Sequence, residues 1–220
     1  MATGDQPLSD GQWLRQALDP AHLAALDQIG STGRPGTRLQ GLPEGVAEAL
    51  AAVTARIRAD ALPHARPVRA VWFTKDNEAN WGVPWHQDRV IAVQDHHDLP
   101  GFAQWSRKAG VWHCEPPVSI LQGMLFVRVH LDDCDDENGA MRIARGSHAE
   151  GAVRSDDAAR LAARWPEEIC AARRGDIQVL PMLTLHRSLP ARTPRPRRAL
   201  RLDYAAPALP SPLCWAGVQE

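Results

Sequence analysis

The spacing of apolar positions predicts helices in the first part of the chain. In EGVAEALAAVTARIRAD (44–60) apolar residues recur every three or four positions among good helix formers, which is typical of an amphipathic helix. Asp19-Pro20 matches an N-cap followed by a first-turn proline, and Ser9 with Gln12 matches a capping box. The first sixty residues are therefore predicted to be mainly helical, with a loop rich in Gly and Pro over 31–43.

After Pro63 the pattern changes to that of short strands. The clearest is GMLFVRVHLDD (123–133), in which successive residues project to opposite faces. One face carries Leu125, Val127, Val129 and Leu131, and the other carries Phe126, Arg128 and His130. Asn138-Gly139 is a tight-turn signal, and a small helix is predicted near 155–164. Four further runs are predicted strands: VRAVWFT (68–74), RVIAV (89–93), DIQVLPML (176–183) and RALRLDYA (198–205).

This order of elements indicates the fold class. Helices followed by many short strands with turn signals favour an all-β jelly roll or similar sandwich with N-terminal helices over a parallel α/β sheet. A length of 220 residues suits one domain with a real hydrophobic core. We therefore expect a single domain over 1–220, in which a helical segment (1–62) packs on a jelly-roll core (63–207).

Composition and charge exclude several classes of protein. The net charge of −1 offers no general attraction for nucleic acid or an anionic membrane, and prolines interrupt the basic run RTPRPRR (192–198). No run of eighteen apolar residues occurs, and the N-terminus does not resemble a secretory signal. The four widely spaced cysteines fit free thiols in a reducing compartment. We expect a cytoplasmic protein with a small-molecule partner, whereas the oligomeric state is not predicted.

The stretch WHQDRV (85–90) contains the first candidate metal ligands. His86 and Asp88 are two residues apart, so in a strand both would project to one face about 7 Å apart along the chain. His186 follows one hundred residues later, in LHRS. Two imidazoles and one carboxylate form a facial triad with open coordination positions, which suits non-haem Fe(II) oxygenases. Taken alone, His86 and Asp88 are better explained as a surface histidine and a turn aspartate, and His186 also fits a core histidine, so the assignment depends on the whole set.

Four segments resemble the phytanoyl-CoA dioxygenase family of Fe(II)- and 2-oxoglutarate-dependent oxygenases. They carry H-x-D, then NG…GSH, then H-x-S and a downstream RRA, and this combination is far more specific than H-x-D alone. The resemblance implies a double-stranded β-helix, the cupin-like form of the jelly roll. The segments are FTKDNEANWGVPWHQD (73–88), GVWHCEPPVSILQGMLFVRVHLDDCDDENGAMRIARGSH (110–148), GDIQVLPMLTLHRS (175–188) and PRRALRLDYA (196–205).

The resemblance also implies roles for individual residues. By position, His86, Asp88 and His186 correspond to the iron ligands. Arg197, eleven residues after His186, and Ser188 correspond to the clamp that holds the far carboxylate of 2-oxoglutarate.

The position of the clamp arginine depends on the strand register. Arg195, Arg198 and Arg201 compete with Arg197, and a slip of one residue would turn the side chain to the other face of the strand. Lys75 lies in a segment that can approach the co-substrate in this family.

Substrate-binding residues are predicted less directly. Arg128 and His130 lie on the polar face of an otherwise apolar strand, where they either line the pocket and meet an anionic substrate or form a solvated face. Trp85 precedes the H-x-D motif, so it either packs near the metal or belongs to the aromatic core.

The sequence thus predicts a dioxygenase that uses Fe(II), 2-oxoglutarate and O2 to hydroxylate an unactivated carbon of a small polar or anionic metabolite, releasing succinate and CO2. Asp88 favours hydroxylation, because related halogenases lack the carboxylate. Two alternatives stay open: a zinc-dependent hydrolase, which leaves the Arg197–Ser188 clamp without a purpose, and a non-catalytic jelly-roll binding protein.

Overall fold

A computed structural model of the chain describes most of its residues. Ser9 of the predicted capping box lies outside the described residues, and so does most of the predicted loop over 31–43. The structure describes residues 10–29, 36–38, 45–76, 78, 80–193, 195–206 and 208–218.

The described part of the chain is mainly β-structure with short helices. Its helices are α1 (Pro20–Asp27), α2 (Val46–Asp60), α3 (Val118–Gln122) and α4 (Ala158–Ala162), with 3-10 turns at Ser147–Glu150 and Ser155–Asp157. Its strands are β1 (Gln12–Leu14), β2 (Gly36–Arg38), β3 (Arg66–Lys75), β4 (Val83–His86), β5 (Ile91–Val93), β6 (Ala103–Lys108), β7 (Val111–Glu115), β8 (Met124–His130), β9 (Met141–Ala144), β10 (Glu167–Ile169), β11 (Ile177–Pro181), β12 (His186–Ser188) and β13 (Arg197–Ala205).

The strands form three antiparallel sheets. The major sheet has the order β1-β11-β8-β13-β3-β2, and the minor sheet has the order β10-β9-β12-β4. A third sheet, β5-β7-β6, is smaller. Neighbours in the major sheet are mostly distant in sequence, as a jelly roll requires. The predicted fold class, a jelly roll with N-terminal helices, is confirmed.

The strict alternation in β8 divides the molecule into layers. Leu125, Val127 and Val129 share a buried cluster with α2 residues such as Val53 and Ile57, so the helices cover this face of the major sheet. Phe126 points the opposite way and packs in a second cluster between the sheets. The interior between the major and minor sheets is where the polar residues of β8 also lie.

Local signals located both long N-terminal elements correctly. Asp19 caps α1 by accepting a 2.8 Å hydrogen bond from the backbone N–H of His22, and Pro20 opens the first turn. The helix predicted over 44–60 is α2.

Two predictions about local structure were wrong. Gln12–Leu14, expected to be helical, is strand β1 and pairs with β11, with Gln12 opposite Val179. The predicted 31–43 loop contains strand β2, which pairs with β3. In both cases hydrogen bonds to a distant strand outweigh a weak local preference, because helix propensity differs by only about 0.7 kcal/mol among ordinary residues.

Among the described residues, no helix is both long and apolar enough to cross a membrane.

Candidate metal centre

Three predicted ligands meet at the open end of the minor sheet. His86 is the last residue of β4, His186 is the first residue of β12, and the two are direct partners across the strands. The strand expected to carry both His86 and Asp88 ends at His86, so Asp88 reaches the site from the segment that follows. The ligand atoms of the three residues all lie within 4.8 Å of one another.

Backbone carbonyls orient both imidazoles. Nδ1 of His86 lies 2.8 Å from the carbonyl of Pro84, and Nδ1 of His186 lies 2.9 Å from that of Thr184. A carbonyl can only accept, so each Nδ1 donates and each Nε2 keeps a free lone pair. Both rings therefore present the ligand atom of a metal-binding imidazole, held by the outer hydrogen bond that such sites usually have.

Asp88 stays ionised because a buried cation faces it. Burial by itself would raise the pKa of Asp88, but the positive charge of Arg201 holds it well below its ordinary value. Arg201 contacts Oδ2 of Asp88 directly, and Nε2 of His186 lies 3.2 Å from the same oxygen. Burial followed by the neighbouring His186 lowers the pKa of His86. Near neutral pH the site thus offers a carboxylate and an uncharged His86.

This donor set fits a divalent transition metal. Two imidazole nitrogens and one carboxylate oxygen match the 2-His-1-carboxylate arrangement that leaves positions open for other ligands. The outer hydrogen bonds to both histidines are in place without any rearrangement of the backbone.

The sequence did not predict that Arg201 is the ion-pair partner of Asp88. The sequence suggested it only as a competitor of Arg197, yet its guanidinium bridges Asp88 and Asp203, with Nε 2.7 Å from Oδ1 of Asp203. Asp203 is also paired with Arg69. The available signal was spacing: Arg201 lies four residues after Arg197 in one strand, so both face the interior.

The other competing arginines have partners elsewhere. Arg195 is exposed and pairs with Asp135, whereas Arg198 points to the opposite face of β13 and binds Asp132. Arg197 is 2% exposed, and its Nε and Nη1 have no hydrogen-bond partner among the described residues. The register of β13 therefore turns Arg197 into the interior, as the sequence predicted.

Ser188 and Lys75 lie beside Arg197. Lys75 is Arg197's direct partner across β3 and β13. Its Nζ donates to Oγ of Ser188 at 2.9 Å and to the carbonyl of Leu189, while the Ser188 hydroxyl lies 3.2 Å from the carbonyl of Gly139. Burial, followed by the charges of Arg197 and Arg128, lowers the pKa of Lys75 to about 7. Lys75 therefore fixes the position of the Ser188 hydroxyl through a hydrogen bond.

A cavity of about 180 Å³ connects the three predicted metal ligands with Arg197 and Ser188. The three ligand residues and Arg197 with Ser188 line it, and aromatic and apolar walls complete it. Four lining residues that sequence reasoning did not assign to the site are Phe73, Val83, Met141 and Arg187.

The three predicted substrate residues occupy different environments. Arg128 lines the cavity and is 6% exposed, so the solvated-face interpretation of β8 does not hold. His130 is buried next to the ring of Trp13 and is not part of the cavity lining. Trp85 packs against the small cluster around α4, with the guanidinium of Arg187 4.9 Å from its ring, and is also absent from the lining.

Comparison with known families decides the identity of this arrangement. A model of the phytanoyl-CoA dioxygenase family matches residues 21–199. The chain belongs to this family. The match spans all the ligand and clamp positions described above, so the resemblance drawn from sequence motifs is confirmed.

Solved structures agree on the fold. AviO1 from Streptomyces viridochromogenes Tue57 is 17% identical with a TM-score of 0.60, covering 91% of both chains. SnoN, an α-ketoglutarate-dependent epimerase from nogalamycin biosynthesis, is 17% identical with a TM-score of 0.58, covering 91% of this chain and 77% of its own. HygX from Streptomyces hygroscopicus, with nickel, 2-oxoglutarate and hygromycin B bound, is 14% identical with a TM-score of 0.58, covering 89% and 82%. No curated protein sequence matches the chain.

Family membership confirms the predicted activity class. The protein is an oxidoreductase of the Fe(II)- and 2-oxoglutarate-dependent oxygenases, with dioxygen as the oxidant. The alternatives of a zinc hydrolase and a non-catalytic binding protein are not supported by this membership.

Proposed function

We propose that this dioxygenase hydroxylates an unactivated carbon of a small metabolite. The proposal rests on two features of one cavity. His86, Asp88 and His186 converge at one end, and Arg197, whose Nε and Nη1 have no acceptor among the described residues, lies at the other. An oxygenase of this type needs both parts at once. The proposal of hydroxylation goes beyond the activity class, because the chain also resembles the epimerase SnoN in fold.

The chain's own residues have distinct roles in this proposal. Nε2 of His86, Nε2 of His186 and a carboxylate oxygen of Asp88 hold the metal, while Arg201 keeps that carboxylate ionised and oriented. Bound Fe(II) together with 2-oxoglutarate supplies dioxygen activation and the oxidation of the carbon, with release of succinate and CO2.

The co-substrate clamp is built on the opposite sheet. Arg197 binds the distal carboxylate in a charge-assisted contact, and the hydroxyl of Ser188 binds beside it. Lys75 fixes Ser188 through its 2.9 Å hydrogen bond and adds positive charge to the same end of the cavity.

Size is the best-supported property of the substrate. A cavity of about 180 Å³ that must also admit 2-oxoglutarate leaves room near the metal for only a small molecule or the reactive end of a larger one. A polar or anionic substrate stays a prediction. It depended on Arg128 and His130, and only Arg128 lines the cavity.

Three further sequence-based expectations stay proposals. We propose one domain over 1–220, with 1–62 packing on a core over 63–207. The shared cluster of α2 and β8 residues supports the packing of the helices on the major sheet. A cytoplasmic location, and the expectation of no nucleic-acid or membrane partner, also stay predictions.

Anaerobic addition of Fe(II) and then 2-oxoglutarate tests the proposed function. We expect the weak visible charge-transfer band of the metal chelate, and we expect Asp88→Ala to abolish it because one of three ligands is lost. Asp98→Ala, which removes an exposed carboxylate outside the cavity lining, is the control and should keep the band. A wild-type protein that binds zinc but shows no band would contradict the proposal. Product analysis with candidate substrates then decides whether oxygen is inserted.

A further inference from the structure

Two arginines in the cavity lack partners for four of their donor atoms. Nε and Nη2 of Arg128, and Nε and Nη1 of Arg197, are buried without a hydrogen-bond acceptor among the described residues. A buried donor left unpaired costs about 1–3 kcal/mol, and more when the group is charged. Four such atoms on two neighbouring cations indicate a missing acceptor.

The surroundings of the two guanidinium groups contain no carboxylate partner among the described residues. Arg128 has only the Met141 sulfur, 3.7 Å from Nη1, and the face of Phe73, 5.4 Å from Cζ. The side chain of Arg197 hydrogen-bonds the Cys134 thiol. Burial, and then the charge of Arg197, lowers the pKa of Arg128 to about 9. The charge of Arg197 therefore destabilises that of Arg128, and no carboxylate of the described residues pairs with either.

Arg201 shows that this fold does pair a buried arginine when no ligand is needed. It lies opposite Arg128 across β8 and β13, and two carboxylates, from Asp88 and Asp203, satisfy it. The lack of an acid beside Arg128 and Arg197 is therefore a property of their end of the cavity.

The side-chain contacts of Arg128 point towards the clamp end, although its direct partner across β8 and β13 is Arg201. The Met141 that Arg128 contacts is the partner of Ser188 across β9 and β12, whereas the metal ligand His186 pairs with Ile143. Arg128 and Arg197 also project from adjacent strands toward the same interior.

We infer that Arg128 is a second arm of the co-substrate clamp and binds the distal carboxylate of 2-oxoglutarate together with Arg197. This inference rests on the proposed function. A carboxylate has two oxygens with about four lone-pair sites, so one group can accept hydrogen bonds from both guanidinium groups. Its negative charge would also offset the repulsion between them. If Arg128 binds the co-substrate, the substrate needs no negative charge.

The inference is tested by titrating two keto acids into the Fe(II)-loaded protein under anaerobic conditions. The two acids are 2-oxoglutarate and 2-oxobutyrate, which has the same chelating end but no distal carboxylate. Affinity is read from the charge-transfer band in wild type and Arg128→Met. We expect the variant to bind 2-oxoglutarate roughly 10- to 100-fold more weakly, and to bind 2-oxobutyrate within about twofold of wild type.

Two further variants control for folding and for charge. Arg142→Met removes an arginine that pairs with Asp136 and Glu167 outside the cavity, and it should bind both acids as wild type does. Arg128→Lys keeps the charge without the planar fork, so its loss for 2-oxoglutarate should be smaller and equally selective. It also serves as the test if Arg128→Met fails to fold.

Three results would overturn the inference. Unchanged 2-oxoglutarate affinity in the Arg128 variants would show that Arg128 does not bind the co-substrate, and the prediction that it binds the substrate would stand instead. Equal losses for both acids would place its effect on the chelating end or on the fold. A wild-type protein with no charge-transfer band for either acid would contradict the proposed function itself. The wild-type titration alone distinguishes that case.

Discussion

At the residue scale, the site separates two kinds of buried cation. Arg201 has carboxylate partners on both sides and orients Asp88, a predicted metal ligand, whereas two donor atoms of Arg197 have no acceptor among the described residues. Both lie on the same face of one strand, so the difference comes from what the neighbouring strands place opposite them. Burying a charge is costly unless it is paired, so an unpaired buried arginine marks a ligand position.

Lys75 provides a pH-dependent test at this scale. Its pKa is about 7 in the folded protein and 10.5 ordinarily, so between these values the unfolded chain binds more protons and stability rises with pH. Lys75→Met should lack this contribution. We expect the wild-type free energy of unfolding, relative to that of Lys75→Met, to increase by on the order of 2 kcal/mol between pH 7 and pH 9.

The measurement is urea denaturation of the protein without added metal at several pH values. Lys108→Met, which removes an exposed lysine at the end of β6, is the matched control and should follow the wild-type pH dependence. Parallel curves for wild type and Lys75→Met would show that burial does not penalise the Lys75 charge.

At the scale of elements, the turn between β8 and β9 packs against Ser188 and Lys75, two residues of the predicted clamp. Gly139 has φ +74, and its carbonyl lies 3.2 Å from the Ser188 hydroxyl. A Cβ built on Gly139 would lie 2.8 Å from the Leu189 carbonyl oxygen and 2.8 Å from Nζ of Lys75. The Asn138-Gly139 pair therefore does more than turn the chain, because the missing side chain makes room for the buried ammonium.

Gly139→Ala is expected to destabilise the protein by about 2–4 kcal/mol, since left-handed backbone strain adds to a close contact with backbone. Gly45→Ala separates the two effects. Gly45 has φ +80, but its Cβ would meet only Ala25 at an ordinary 3.7 Å, so we expect about 1–2 kcal/mol from strain alone. Urea denaturation compares the two variants. Equal losses would mean that the contact around Lys75 relaxes without cost.

At the scale of the whole molecule, the cavity joins the two sheets. The histidine ligands and Ser188 come from the minor sheet, while Arg197 and Lys75 come from the major sheet. A co-substrate held between the metal and Arg197 therefore bridges the layers. Ligands that bind only the folded state stabilise it by mass action.

Thermal unfolding measures this bridging. With Mn(II) and 2-oxoglutarate at about 100 times their dissociation constants, we expect Tm to rise by about 10–20 °C, of which each ligand contributes about half. Arg197→Met should lose most of the part that 2-oxoglutarate adds to the shift by Mn(II) alone. Arg195→Met removes an exposed arginine paired with Asp135 and should keep the full shift. A full shift in Arg197→Met and a reduced one in Arg195→Met would move the clamp to Arg195.

The sequence by itself determined the features that depend on residues close together in the chain. The alternation in β8, the N-cap at Asp19 and the Asn138-Gly139 turn follow from neighbours within a few positions, and all three occur in the structure. The combination of H-x-D, NG…GSH, H-x-S and a downstream RRA indicated the family, because iron coordination and carboxylate binding require those residue types. The site roles carried over from the family stay predictions for the experiments above.

Only the tertiary structure decided features that depend on distant pairing. Strand β1 forms because β11 offers it an edge, although the local sequence suggested a helix. Arg201 meets Asp88 across 113 positions of sequence, and Arg128 proved to be buried rather than solvated. The physical reason is the same in each case. A hydrogen bond or an ion pair depends on which partner the fold brings within about 3 Å, and local periodicity contains no information about that partner.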